Sequence, residues 1–103
     1  MAQFDIYRNP AGDARSIPYL LDVQSDLLAG VTSRIVVPLY HLKSFGRPAR
    51  RLNPIFEVEG NAVVMSTAEL AGVMPSDLGA RVDSLARHYD EIRDALDFAF
   101  QGY

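Results

Sequence analysis

The chain has 103 residues, 49% of them hydrophobic and 22% charged, with no cysteine and a formal net charge of −3. That length supports one domain with its own core, burying roughly 65% of the unfolded surface. Ordinary composition excludes disorder as the default. The missing thiols exclude a disulfide scaffold, a thiolate metal site and a cysteine nucleophile. A net acidic chain is also poorly suited to gripping nucleic acid on its own.

Phe4 and Ile6 alternate with Gln3, Asp5 and Tyr7, which predicts a short first strand, and Asn9 to Asp13 is dense in turn formers. Ile17 to Val23 reads as a second strand, apolar on both faces at Leu20 and Leu21. Arg34 to Leu39 is the strongest β-branched run, with Pro38 marking an edge or bulge; Ile35 to Leu39 is a candidate for part of a dimer face. Leu42 to Asn53 concentrates Lys43, Arg47, Arg50 and Arg51 around Gly46 and Pro48 and reads as an exposed loop. Ile55 to Glu59 and Ala62 to Met65 flank Gly60-Asn61, which predicts a hairpin with those two residues as its turn. Thr67 to Ala71 suits one helical turn before Gly72, and Pro75 to Gly79 is punctuated.

From Val82 to Gln101 the spacing predicts a helix. Val82, Leu85, Tyr89, Ile92, Leu96 and Ala99 share one face, Asp83 or Ser84 serves its start, and Gly102 ends it. Its last turn breaks a local rule, because Asp94 and Asp97 sit where the helix dipole favours cations. Two readings stay open, residues kept for contact with something else or an acidic tail that merely aids solubility. No domain boundary, leader or membrane span is expected, and a soluble cytoplasmic protein is the plain reading.

Chemistry-bearing patterns are sparse. His41 and His88 lack metal-ligand spacing, and neither a serine elbow nor a phosphate-cradling glycine loop is present. Asp22 and Asp26 are open to two readings, a carboxylate pair for acid–base work or a strand end capped by its own side chains. The basic stretch is likewise a solvated loop or a seat for an acidic peptide, and Phe45 within it adds the aromatic character of a contact surface.

Several blocks resemble the CcdB-type toxins of bacterial toxin–antitoxin pairs. They are Phe4-Asp5-Ile6-Tyr7, Asp22-Val23-Gln24-Ser25-Asp26-Leu27-Leu28 and the run from Arg34 to Leu39. The likeness continues through Arg51-Leu52-Asn53-Pro54, Met65-Ser66-Thr67 and the terminal Phe98-Ala99-Phe100-Gln101-Gly102-Tyr103. The resemblance implies one domain over residues 1–103, α+β but mainly β. The implied architecture is a small SH3-like barrel with an additional small sheet and a C-terminal α-helix, assembled as a homodimer. It implies no enzymatic activity, no cofactor, no catalytic residue and no metal. Its targets are the DNA gyrase A subunit, trapped on cleaved DNA, and a CcdA-like antitoxin that contacts DNA when the pair represses its own operon. DNA is then reached only through the antitoxin.

Carried onto this sequence, the gyrase-binding residues are Leu27, Leu28, Asp97, Phe100, Gln101, Gly102 and Tyr103. The antitoxin-binding residues are Arg8, Arg15, Lys43, Phe45, Arg47, Arg50 and Arg51. Gln101 stands where the family has a tryptophan. Two alternatives therefore stay open: a homologue that binds antitoxin but has lost or changed its gyrase target, and a MazF-like endoribonuclease sharing the barrel.

Overall fold

The computed structural model describes residues 1–102. Seven antiparallel strands form one curled sheet: β1 (Asp5–Arg8), β2 (Tyr19–Asp22), β3 (Arg34–His41), β4 (Ile55–Val58), β5 (Asn61–Met65), β6 (Ala71–Val73) and β7 (Arg81–Ser84). The order is β4-β5-β3-β2-β1-β7, with β6 also on β3. The eight-residue β3 divides its free edge, pairing β6 through Arg34 to Val36 and β5 through Leu39 to His41. This division lets the sheet curl over itself; the additional small sheet that the resemblance implied is not separate, since β6 joins the same sheet through β3.

Side-chain alternation decides which residues enter the core. Ile6, Tyr19, Leu21, Val37, Leu39, Val58, Val63 and Met65 point inward and are buried together. Leu85, Ile92 and Ala95 close the core from outside the sheet; full burial of Ile92 is worth about 1.5–3 kcal/mol. The opposite face of β1, β2 and β3 carries Asp5, Tyr7, Asp22 and Arg34, all buried, so these strands are covered on both sides. Val36, Val37 and Leu39 are also buried within the chain itself, which leaves them no surface to offer a second copy.

Four sequence expectations are corrected. The terminal helix, α2, spans Tyr89–Gln101, preceded by a 3-10 turn over Ala86–His88. Val82 and Asp83 instead belong to β7, which bonds to β1 with a register shift beside Ile6 and Tyr7. Tyr89 and Ala99 are consequently exposed rather than on the core face. The hairpin turn is Glu59 and Gly60, since Val58 pairs with Asn61. Both turn residues have positive φ (52° and 80°), as a primed turn requires. Glu59 tolerates this because its carboxylate is employed, accepting from the Tyr19 hydroxyl at 2.6 Å and Arg8 Nη2 at 2.9 Å. The stretch from Leu42 is not all loop, for Leu42–Phe45 makes a single helical turn, α1. Finally, β6 was not foreseen.

Gly79 is required by close packing, as its amide bonds Arg8 O at 2.8 Å and a Cβ there would meet the same oxygen at 2.8 Å. Among the described residues no helix is long and apolar enough to cross a membrane.

Candidate partner-binding surfaces

The Asp22-to-Asp26 block is a scaffold. Asp22 has no solvent exposure and sits against Arg34. Its Oδ2 accepts from Nε at 2.8 Å, with Nη2 of the same guanidinium 2.6 Å away but off the hydrogen-bond axis. Oδ1 accepts from Gln24 N at 3.0 Å. Burial pushes the Asp22 carboxyl above its ordinary value, against the pull of Arg34. Gln24 Oε1 accepts from Ile35 N at 3.0 Å while its Nε2 donates to Leu28 O at 3.2 Å. Ser25 Oγ accepts from Leu27 N at 3.2 Å and Asp26 Oδ1 from Gln3 N at 2.8 Å. Asp22 and Asp26 are thus committed to different partners, and the acid–base pair is withdrawn in favour of the capped strand end. What this network presents is a 3-10 turn, Asp26–Leu28, on which Leu27 is 95% exposed and Leu28 partly so.

A second surface lies at the end of α2. Gly102 adopts φ 76° and its amide bonds Phe98 O at 2.8 Å, the left-handed cap expected of it. Phe100 is 71% exposed beside an open pocket of about 460 Å³ lined by Leu52, Ala68, Leu70, Phe98, Ala99, Phe100 and Gly102. Asp97 and Gln101 are exposed on the same helix. Leu27 and Leu28 do not line this pocket. Tyr103 lies outside the described residues.

Five of the six cations fall into two groups. Arg8 pairs with Glu59 at the β4–β5 turn, and Lys43 lines a pocket of about 320 Å³ against Gly60 and Asn61 on that turn. His41 N bonds Ser16 O at 2.9 Å, which brings the loop bearing Arg15 to the start of α1. Phe45 is half-buried, its ring 5.2 Å from that of Tyr40 at 68°, so it holds α1 onto β3. Arg50 and Arg51 belong to a separate pocket of about 330 Å³ between the loop and α2, with Ile55, Glu91 and Asp94. Arg47 is exposed between the groups.

Arg51 is already engaged. Its Nε and Nη2 donate to the two oxygens of Asp94 at 3.0 and 2.8 Å, and its guanidinium lies 4.8 Å from the Phe98 ring centroid. This bidentate hydrogen bond raises the guanidinium pKa and holds the Asp94 carboxyl below its ordinary value. The acidic helix end therefore obtains its cation from a loop far away in sequence. Among the described residues Arg15, Lys43, Arg47 and Arg50 form no ion pair.

The small curled sheet thus carries an exposed apolar tip at the end of α2 and a cationic loop. The family model described as CcdB protein matches residues 3–102. The chain belongs to the CcdB family, the toxin partners of toxin–antitoxin systems. Similar solved structures include an endoribonuclease in complex with its cognate antitoxin from Mycobacterial species. It shares 14% identity, with a TM-score of 0.77 over 97% of this chain and 94% of that one. An endoribonuclease from Mycobacterial species, also 14% identical, has a TM-score of 0.72 over 97% of this chain and 90% of that one. At that identity the likeness shows the shared fold alone.

Proposed function

We propose that this chain is a non-enzymatic, cytoplasmic, homodimeric toxin that binds the DNA gyrase A subunit and traps the gyrase–DNA cleavage complex. A cognate CcdA-like antitoxin neutralises it and, by contacting DNA, lets the pair repress its own transcription. The observation that carries this reading is Phe100, a 71% exposed aromatic at the end of α2 beside an open apolar pocket. Nothing in the fold requires an aromatic there, and large aromatics of this kind anchor protein interfaces. Leu27 and Leu28 add apolar surface on a turn that a buried polar network holds in place, and Asp97 offers a carboxylate to partner arginines.

Two observations favour other readings. Gln101 lacks the aromatic face of the family tryptophan, which favours a toxin that keeps its antitoxin and has lost or changed its target. The endoribonucleases of similar fold favour RNA cleavage, which needs acid–base groups flanking a phosphate. Inducible expression in a susceptible host separates the three. Filamentation with DNA damage supports gyrase poisoning, normal growth a homologue that binds its antitoxin but poisons nothing, and loss of RNA with intact DNA an endoribonuclease.

A further inference from the structure

Arg51 joins the two proposed partner surfaces. Its backbone occupies the left-handed region (φ 64°), which non-glycine residues seldom adopt. Its side chain reaches α2 to grip Asp94 with the Nε and Nη2 edge of the guanidinium and to lie over Phe98. Leu52, the next residue, lines the Phe100 pocket together with Phe98. Phe98 therefore serves both surfaces, supporting the Arg51 guanidinium and forming part of the pocket wall. Both members of the ion pair are about half exposed, so a competing carboxylate has access to the same fork. Arg50, adjacent and without an ion pair among the described residues, is placed to take a second carboxylate.

We propose that Arg51 is an exchangeable latch. In the free chain it holds the loop of residues 48–54 on α2 through Asp94. An acidic, extended partner segment displaces Asp94 from the fork, uncovers the Phe98 ring and reshapes the pocket beneath Phe100. Occupation of the basic loop is thereby transmitted to the helix end. The partner's identity as the antitoxin rests on the function proposed above; the exchange itself depends only on this chain.

The probe is a synthetic oligoglutamate peptide, titrated into the purified protein. Asp94→Asn, which frees Arg51, tightens binding about two- to fivefold, the range of an exposed ion pair. Arg51→Gln weakens it. In the Arg51→Gln background, Asp94→Asn adds no more than Asp90→Asn, a control that alters charge on α2 away from the latch. The chain contains no tryptophan, so Phe100→Trp provides a single reporter whose emission shifts on peptide addition and stays fixed when Arg51→Gln is added. In the unsubstituted protein the peptide moves the Phe98 ring resonances. Equal tightening by Asp94→Asn with and without Arg51 would reduce the effect to net charge and overturn the proposal. So would peptide binding with unmoved Phe98 resonances. Cleavage complexes are scored separately, so a chain that leaves gyrase untouched still passes or fails this test.

Discussion

Replacing Arg34 by Met removes the cation from a carboxylate that has no solvent contact. Asp22 is fully buried and Arg34 only 6% exposed at its side chain, so neither charge has water as an alternative partner. Breaking a buried pair from one side costs about 3–5 kcal/mol. With an m-value near 1.5–2 kcal/mol/M, the urea midpoint falls by about 2–3 M at fixed protein concentration. The loss depends on pH in a defined direction. Burial already raises the Asp22 pKa from 3.8, and without Arg34 it acts with less opposition. A carboxyl raised in the folded state contributes stability in full below its unfolded value and loses it as pH rises through its folded value. The penalty of Arg34→Met relative to the native chain therefore shrinks as pH falls from 7 toward 3.8. Adding Asp22→Leu to Arg34→Met recovers most of the loss, because an apolar pair needs no solvation. A penalty below about 1 kcal/mol, or one identical at both pH values, refutes the buried-charge account.

Three further predictions concern the surfaces. Phe100→Ala leaves the thermal midpoint nearly unchanged yet weakens gyrase A binding about 30-fold, as read by calorimetry on the purified pair. Gln101→Trp, which restores the family aromatic, strengthens the same interaction by a comparable factor in that titration. Arg50→Ala slows antitoxin association and flattens its salt dependence in stopped-flow measurements, since steering charges act on the on-rate. Arg51→Ala slows it less, because Arg51 spends the free state on Asp94.

Much of the sheet was legible because β-branched alternation is a local signal. The runs in β3, β4 and β5 declare themselves, and the hairpin needed only a shift of its turn by one residue. The helix start was misplaced because Val82 and Leu85 satisfy a three-and-four spacing with Ile92, while Val82 lies in β7, whose flanking residues Arg81 and Asp83 pair with distant β1. Ala71 and Gly72 carry little intrinsic strand preference, a single Val73 makes no readable run, and β6 exists through its bonds to β3. The Asp-Val-Gln-Ser-Asp block was conspicuous, but its purpose depends on Arg34, 12 positions away and read only as a strand residue. Arg51 and Asp94 are 43 positions apart, so no spacing rule joins them. The unfavourable charge at the helix end was the one signal in the sequence that a cation was owed there. Exposed Leu27 and Phe100 were legible through the family likeness alone, for an apolar residue gives no local sign of facing water.

If α2 presents its end to gyrase, covalent gyrase–DNA complexes report it directly. Purified gyrase, supercoiled DNA, ATP and increasing amounts of the chain are incubated and denatured, and linear DNA is quantified on a gel. The expected outcome is linear DNA that rises with the chain, is abolished by Phe100→Ala and disappears when the antitoxin is added. Absence of linear DNA at micromolar chain, or equal amounts with Phe100→Ala, contradicts it.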